Sequence, residues 1–350
     1  MKYMKKIIFI LPLLVLFTVI DANAQKRVGT TSATFLTMGV GAKGSALGHA
    51  NSINTSGAEA LYWNPAGISI KNEANSKNSG FLSVNELFVD VSAYAASFVF
   101  PIGDSGKNFG FGVNYVDYGR QLVRTVEDQD GLGNTFGAHD LSIGISYAQN
   151  LTENFHFGGT MKFVQQKIYD MQAQTVAVDV GFLLKTNLLN GTTLGASISN
   201  FGGKMQMDGV NSEYFLDIDE GSDGNNTDIP SRIYMDKWDI PLSFKVGVSI
   251  PAIKQENLEL LLLSEAQQTN DNELNVDSGS QLSYISNTVR FHTRVGYKDL
   301  LLGDKVDSHF TYGAGFILKT QNGMAIGVDF AQVPYEYLGQ TTIIDLKLYF

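Results

Sequence analysis

The sequence predicts an all-β protein whose strands close into an antiparallel barrel across a membrane. Three observations carry this expectation. Apolar residues alternate with small or polar ones in long segments from Phe81 onward. The second face of those segments holds Gly, Ser, Ala and Asp where a water-facing sheet would carry Lys, Glu and Thr. The chain ends on the apolar stripe Ile344, Leu346, Leu348 and Phe350.

Composition narrows the class first. The 350 residues include 36 Gly, 7 Pro and no Cys, with 17% charged and 44% hydrophobic. Soluble domains average about 25% charged, 7% Gly and 5% Pro, so this chain is charge-poor and Gly-rich. Its apolar share is too high for a disordered chain. Lack of cysteine excludes a disulfide scaffold, a thiolate zinc site and a Cys nucleophile together. A net charge of −10 argues against a nucleic-acid partner, which a basic patch would announce.

The N-terminus reads as a leader. Lys2, Lys5 and Lys6 precede the apolar run Ile7 to Ile20, and Ala22-Asn23-Ala24 follows. A basic region, an apolar region and a small-x-small site make 1–24 a cleaved secretory signal peptide, with Gln25 the expected mature start. No later run approaches the roughly 20 apolar residues of a spanning helix. The densest, Leu258 to Leu263, is interrupted by Glu259. An exported chain that enters the membrane must then do so as a closed barrel, because only that alternative satisfies every backbone group in lipid.

The strands follow in order. Phe109, Phe111, Val113 and Tyr115 oppose Gly110, Gly112 and Asn114; Leu141, Ile143, Ile145 and Tyr147 oppose Asp140, Ser142 and Gly144. Val176 to Leu184 alternates against Ala177, Asp179 and Gly181, and Phe244 to Ile250 against Lys245, Gly247 and Ser249. Val289, Phe291 and Val295 oppose Arg290, His292 and Arg294, while Ile326, Val328 and Phe330 oppose Gly327 and Asp329. Strict period two means half-buried strands. Soluble strands cluster near about 5 or 6 residues, whereas a tilted membrane strand needs about 9–11. The candidate segments are 80–88, 90–101, 108–120, 138–150, 153–168, 174–187 and 192–201, then 240–251, 257–268, 284–298, 308–319, 323–332 and 340–350. Bacterial single-chain barrels have even strand numbers, so one more strand is expected, for a total of about 14. Its predicted place is 202–236, with 121–137 and 269–283 read as loops.

Residues 25–79 lack the alternation and form a separate segment before the barrel at 80–350. Gly39, Gly41 and Gly44 spell G-x-G-x-x-G with Glu59 downstream, but no βαβ unit surrounds them to hold a dinucleotide. Gly103 to Lys107 is likewise a tight turn rather than a phosphate loop, since Pro101 and Asn108 replace required residues.

A family resemblance rests on this segment. Phe35-Leu36, the run Gly39 to Gly48 and then Ala60-Leu61-Tyr62-Trp63-Asn64-Pro65-Ala66-Gly67 are similar to the N-terminal signature of the PorV/PorQ family. That family is related to the FadL-type barrels, which share Asn-Pro-Ala-Gly in an N-terminal hatch folded into the lumen. The resemblance covers the exported chain in layout, and it departs at Lys43-Gly44-Ser45, where the family usually carries Arg-Ala followed by a small or apolar residue. It implies a barrel of about 14 strands plugged by the hatch at 25–79 and set in the cell outer membrane. It also implies Gly39, Gly41, Gly48, Trp63, Asn64, Pro65, Ala66 and Gly67 as the hatch motif. Physical chemistry gives these residues structural work. Pro65 fixes its own φ and drives Asn64 out of the helical region, Asn64 bonds nearby backbone, and Gly67 is free to take a positive φ. Trp63 and Tyr62 are expected to anchor the turn against the wall. The ending on Leu346, Leu348 and Phe350 resembles the C-terminal signature read by the barrel assembly machinery.

Enzymatic patterns are missing from the sequence, and no cofactor is expected. The five His (His49, His139, His156, His292 and His309) are dispersed, and no G-x-S-x-G elbow occurs. His139 and His292 are both expected to point into the lumen. The acidic residues Asp217, Asp219, Glu220, Asp223 and Asp228 miss the spacing of a calcium loop and read as a solvated loop, so no metal site is expected. Arg290 and Arg294 share an inward face and are expected to pair with Asp179 or Asp329, because buried charges need partners. The PorV/PorQ resemblance implies a non-enzymatic accessory component of type IX protein secretion, with translocon or cargo proteins as partners besides outer-membrane lipids. The alternative is a FadL-like transporter of hydrophobic molecules, which predicts a pocket between hatch and wall lined by Phe35, Leu36 and Met38. A surface-adhesion role through the acidic loops is the third reading.

Overall fold

The computed structural model describes residues 29–350 except 75, 77, 104–105, 132, 219–220, 222–227, 302–309, 321 and 336. The expected leader at 1–24, His309 and the acidic residues Asp219, Glu220 and Asp223 lie outside the described residues.

Fourteen long strands form one closed antiparallel ring. They are β1 (Ser79–Glu86), β2 (Ser92–Ile102), β3 (Lys107–Leu122), β4 (Thr135–Asn150), β5 (Phe155–Ile168), β6 (Met171–Lys185) and β7 (Thr193–Gly202). Then come β8 (Ser243–Lys254), β9 (Leu258–Thr269), β10 (Asn275–Ile285), β11 (Val289–Tyr297), β12 (Phe310–Lys319), β13 (Ala325–Tyr335) and β14 (Gly339–Tyr349). Each pairs with its sequence neighbour, and β1 closes on β14 in a register running from Ser79↔Tyr349 to Glu86↔Thr342. Closure leaves no unpaired strand edge, which is the condition for lying in lipid.

Burial follows the predicted parity. Phe111, Ile145, Val176, Phe244, Phe291 and Phe330 are exposed on the outside, while Asn114, Ser146, Asp179, Arg294 and Asp329 are buried within. Leu346, Leu348 and Phe350 lie on the outer face, and the Phe350 ring stacks on Phe98 with centroids 5.9 Å apart. Phe98, Phe100, Phe109 and Tyr147 continue that aromatic row around the end of the barrel that carries the short turns. Short turns and an aromatic girdle mark the periplasmic end of outer-membrane barrels, so the end with the long 203–242 connection is the outer one.

The strand count is as expected, but the place of one strand is not. The fourteenth is β10, in the stretch read as a loop at 269–283, and the single segment 284–298 is broken by a turn at 286–288. The outward side of β10 carries Ser278 and Ser280 beside Val276, Leu282 and Tyr284, so its alternation is too weak to stand out. The 202–236 region instead makes a small hairpin, Glu213–Leu216 against Ile229–Arg232, and a two-residue pairing of Asp208–Gly209 with the start of β6. The hairpin stands apart as its own two-stranded sheet, and neither piece is one of the fourteen ring strands.

The N-terminal segment fills the lumen. It starts at the outer end, where Thr31 bridges to Asp239, and leaves at the periplasmic end, where Asn78 N–H donates to the Phe350 carbonyl at 2.9 Å. Between them it forms only short helical pieces, including α1 (Ala42–Ala46) and α2 (Ala60–Trp63). Apolar contacts hold it at several heights. Phe35 packs with Val116, Val164 and Met205; Leu61 and Ile68 pack with Val99; Ile53 packs with Leu261 and Leu263. Among the described residues no helix is long and apolar enough to cross a membrane.

Candidate functional site: the plugged lumen

The plug meets the wall in two chemically different ways. Toward β5 and β6 the contact is steric. Asn64 is extended at φ −156° as the following Pro65 requires, and its Oδ1 accepts from Ala66 N–H at 3.1 Å. The Asn64 amide also donates to the Phe182 carbonyl at 3.2 Å, reaching the barrel wall. A Cβ at Gly181 would stand 1.9 Å from Asn64 Oδ1, and one at Gly158 would stand 2.4 Å from the Pro65 carbonyl. Glycine on these inward positions is what lets the turn seat. Gly67 does not use a positive φ; it lies in the 3₁₀ turn Pro65–Ser69, pressed close to the Thr55 carbonyl. Tyr62 anchors to the wall, its hydroxyl 2.7 Å from the Ala96 carbonyl and 2.9 Å from that of Val113. Trp63 does not reach the wall with its polar edge. It donates to the Val40 carbonyl at 2.8 Å and so ties the plug to itself.

Toward β11, β13 and β14 the contact is ionic. Lys347 lies 2.7 Å from both Glu59 on the plug and Asp329 on the wall, and Arg294 also pairs with Asp329. Within the plug, Lys43 pairs with Glu73 at 3.3 Å, and His292 Nε2 on the wall approaches Glu73 Oε2 at 3.2 Å. Burial alone would raise the Glu73 pKa, but Lys43 and His292 together hold it well below the carboxylate range. Asp345 caps the start of α1, accepting from Ala42 N–H at 2.6 Å. The apparent dinucleotide motif therefore presents its helix end to a carboxylate of the barrel.

The charged residues settle as follows. Arg294 pairs with Asp329 as expected, while Asp179 is taken by Lys162 at 2.9 Å. His292 faces the lumen, but His139 does not. It is odd-numbered like Leu141 and Ile143, lies on the outer face beside Tyr115, and has Asp117 and Lys167 as cross-strand partners. His156 bonds Ser69 at 2.9 Å, again joining plug and wall. The residues that sequence reading missed are Lys43, Glu73, Asp345 and Lys347. Charged residues on the inward parity of β14, where lipid-facing neighbours are all apolar, were the available signal for the last two.

Cavities accompany the plug. An outer one of about 450 Å³ lies among β3, β4, β5 and the long connection, with Tyr118, Phe136, Ala138, Ile168 and Met207 in its lining. It sits at a bulge in β3, where the register slips between Asp117 and Arg120 and Gly119 takes φ +72°. Its polar rim is a small network, with the Tyr118 hydroxyl donating to Asp140 at 2.7 Å and the Gln166 amide to the same carboxylate at 3.1 Å. An inner one of about 70 Å³ separates the plug from β3–β9, and Leu36, Met38, Tyr62 and Trp63 form its plug side. Leu36 and Met38 thus line a pocket between plug and wall, and Phe35 with Met38 lines a smaller one against β1–β3, as expected.

No family model matches the chain, and no curated protein matches it. Solved structures do. The Pseudomonas putida toluene transporter TodX aligns with a TM-score of 0.53 at 14% identity, over 87% of this chain and 96% of that one. The Ralstonia pickettii toluene transporter TbuX gives 0.53 at 12% identity, over 89% and 97%. A Pseudomonas aeruginosa FadL homologue gives 0.53 at 13%, over 93% and 99%. The fold is that of an outer-membrane barrel. At these identities the likeness speaks for architecture and supports an outer-membrane location. Two of these three neighbours are toluene transporters.

Proposed function

We propose that this chain is a plugged outer-membrane channel for small apolar or amphiphilic molecules. The observation that carries the reading is the outer cavity. An apolar space of about 450 Å³ opens at the cell-facing end, bounded by a strand bulge and walled by Phe136, Ile168 and Met207. Ligand pockets commonly fall in the range of about 300–1,000 Å³ and combine apolar walls with a few placed polar groups, here the Tyr118–Asp140–Gln166 network. The likeness to toluene transporters supports the same reading. The plug must shift for passage, since the inner cavity is less than half of the roughly 150 Å³ that holds benzene. The test is uptake of toluene by proteoliposomes carrying the full chain. Ala138→Trp fills the outer cavity and is expected to slow uptake about ten-fold; each tenfold corresponds to about 1.4 kcal/mol. Uptake no faster than in empty liposomes, or unchanged in the variant, removes the proposal.

A second reading, accessory work in type IX protein secretion, is favoured by one feature. The 203–242 connection exposes Phe215, Ile218, Tyr234 and Trp238, with Tyr234 at 77%. Such a surface suits a protein partner. Deleting the gene in its host and comparing the secreted proteome separates the readings: loss of many type IX cargo proteins with the translocon intact favours secretion, and an unchanged exoproteome favours the channel.

A further inference from the structure

The outer and inner cavities differ in chemistry. The outer one is walled largely by apolar side chains, and the inner one is polar on its barrel side. Ser243, only 3% exposed, lines the inner cavity, and its hydroxyl has no hydrogen-bond partner among the described residues. Asn114, Ser142 and Gln267 line the same space from β3, β4 and β9. Two cations reach it as well, but both are neutralised in place. Lys162 lies 2.9 Å from Asp179, and Lys245 lies 3.6 Å from Glu265.

These features discriminate among solutes. A hydrocarbon entering the inner cavity would strip water from Ser243, Asn114 and Gln267 and give nothing back, and buried polar groups without partners are unfavourable. A carboxylate would have to compete with Asp179 and Glu265 for the two lysines while bearing its own desolvation. A neutral hydroxyl both donates and accepts, so it can complete the Ser243 hydroxyl and one amide at once. Leu36, Met38 and Leu61 then receive the apolar part of the same molecule.

We infer that the inner cavity is a head-group site for small neutral hydroxylated amphiphiles, with a monocyclic phenol as the simplest member. The inference rests on the channel reading and names its solute class. At about 70 Å³ the cavity holds the hydroxyl-bearing edge, and the ring body enters when the Leu36–Val40 stretch of the plug gives way. A solute then passes from the apolar outer cavity to the polar inner one.

The chain has two Trp, Trp63 at the cavity and Trp238 on the outer connection, so Trp238→Phe leaves Trp63 as the sole reporter. In the full-length protein with that change, p-cresol is expected to quench Trp63 fluorescence saturably, at least ten-fold tighter than toluene or benzoate. Ser243→Ala removes only a hydroxyl without a partner, so folding is spared. It is expected to weaken p-cresol about five-fold, in line with one neutral hydrogen bond, and to leave toluene unchanged or tighter. Equal affinity for toluene, tighter binding of benzoate, or no effect of Ser243→Ala overturns the inference. Proteoliposome uptake keeps the two proposals apart. Toluene entering with no preference for p-cresol leaves the channel and removes the head-group site, whereas no entry of either solute removes the channel itself.

Discussion

Asn64 and Gly181 show how finely the plug is fitted. The amide occupies the space a side chain on β6 would need, so any residue larger than glycine at 181 collides with it. Gly181→Val is expected to lift the Asn64–Gly67 turn from the wall, with an overpacking cost of about 1–3 kcal/mol. The check is faster hydrogen exchange or new protease cleavage across 60–70, with the barrel still heat-modifiable on gels. His49 supplies a second prediction. Burial, then the positive charges of Lys298 and Lys245, push its imidazole down to about 3 in the docked plug, from an ordinary value of 6.5. The groups facing it are Trp63 and Gly39 on the plug, Lys245 with its partner Glu265 on the wall, and Lys298. An undocked His49 takes up a proton below pH 6.5 that the docked one refuses until about 3, so docking is strongest above 6.5 and weakens as the pH falls between those values. Glu73 acts with the same sign at lower pH, its contribution present above about 4.5 and lost in acid. Plug exchange at pH 5 is therefore expected to exceed that at pH 7.5, and His49→Gln to flatten the difference.

At the scale of the element, β3 and β10 are instructive in opposite ways. β3 is 16 residues long, more than a tilted crossing needs, and its bulge at Tyr118–Gly119 falls in the part beyond that length. Replacing Gly119, held at φ +72°, by Val is expected to straighten the strand, narrow the outer cavity and reduce toluene uptake several-fold without loss of assembly. Unchanged uptake would detach the bulge from function. The alternation of β3 was plain in the sequence, but the bulge was not, because a bulge depends on the register with β4. β10 looks like a loop in the sequence because Ser278 and Ser280 break its outer stripe, and pairing with β9 and β11 makes it a strand.

For the whole molecule, the plug is held sterically toward β5 and β6, and toward β11–β14 by ion pairs as well as by close contact at Gly296 and Gly313. The ion pairs join Glu59 to Lys347 and Glu73 to His292, with Lys43 supporting Glu73 from within the plug, and removing one partner of a buried ion pair costs about 3–5 kcal/mol. The outer and inner cavities lie against β3–β9. Deleting residues 31–73 while keeping residues 1–30 is expected to leave an assembled ring with raised single-channel conductance in planar bilayers. A barrel that stays closed without the plug would place the barrier in the outer connection.

Sequence by itself determined the β class and the membrane-facing parity, and it set the N-terminal segment apart from the strands. These follow from local periodicity, and lipid enforces that periodicity strictly because it offers backbone groups no partner. The even strand number came instead from the rule that single-chain barrels close with pairs of strands. The hatch motif was legible by resemblance, but its fit was not. Which glycine receives Asn64, which acid meets Lys347, where Ser243 is left without a partner and where the fourteenth strand lies are set by register across residues far apart in the chain. Only the closed ring brings those residues to one height in the lumen, so tertiary structure alone decided them.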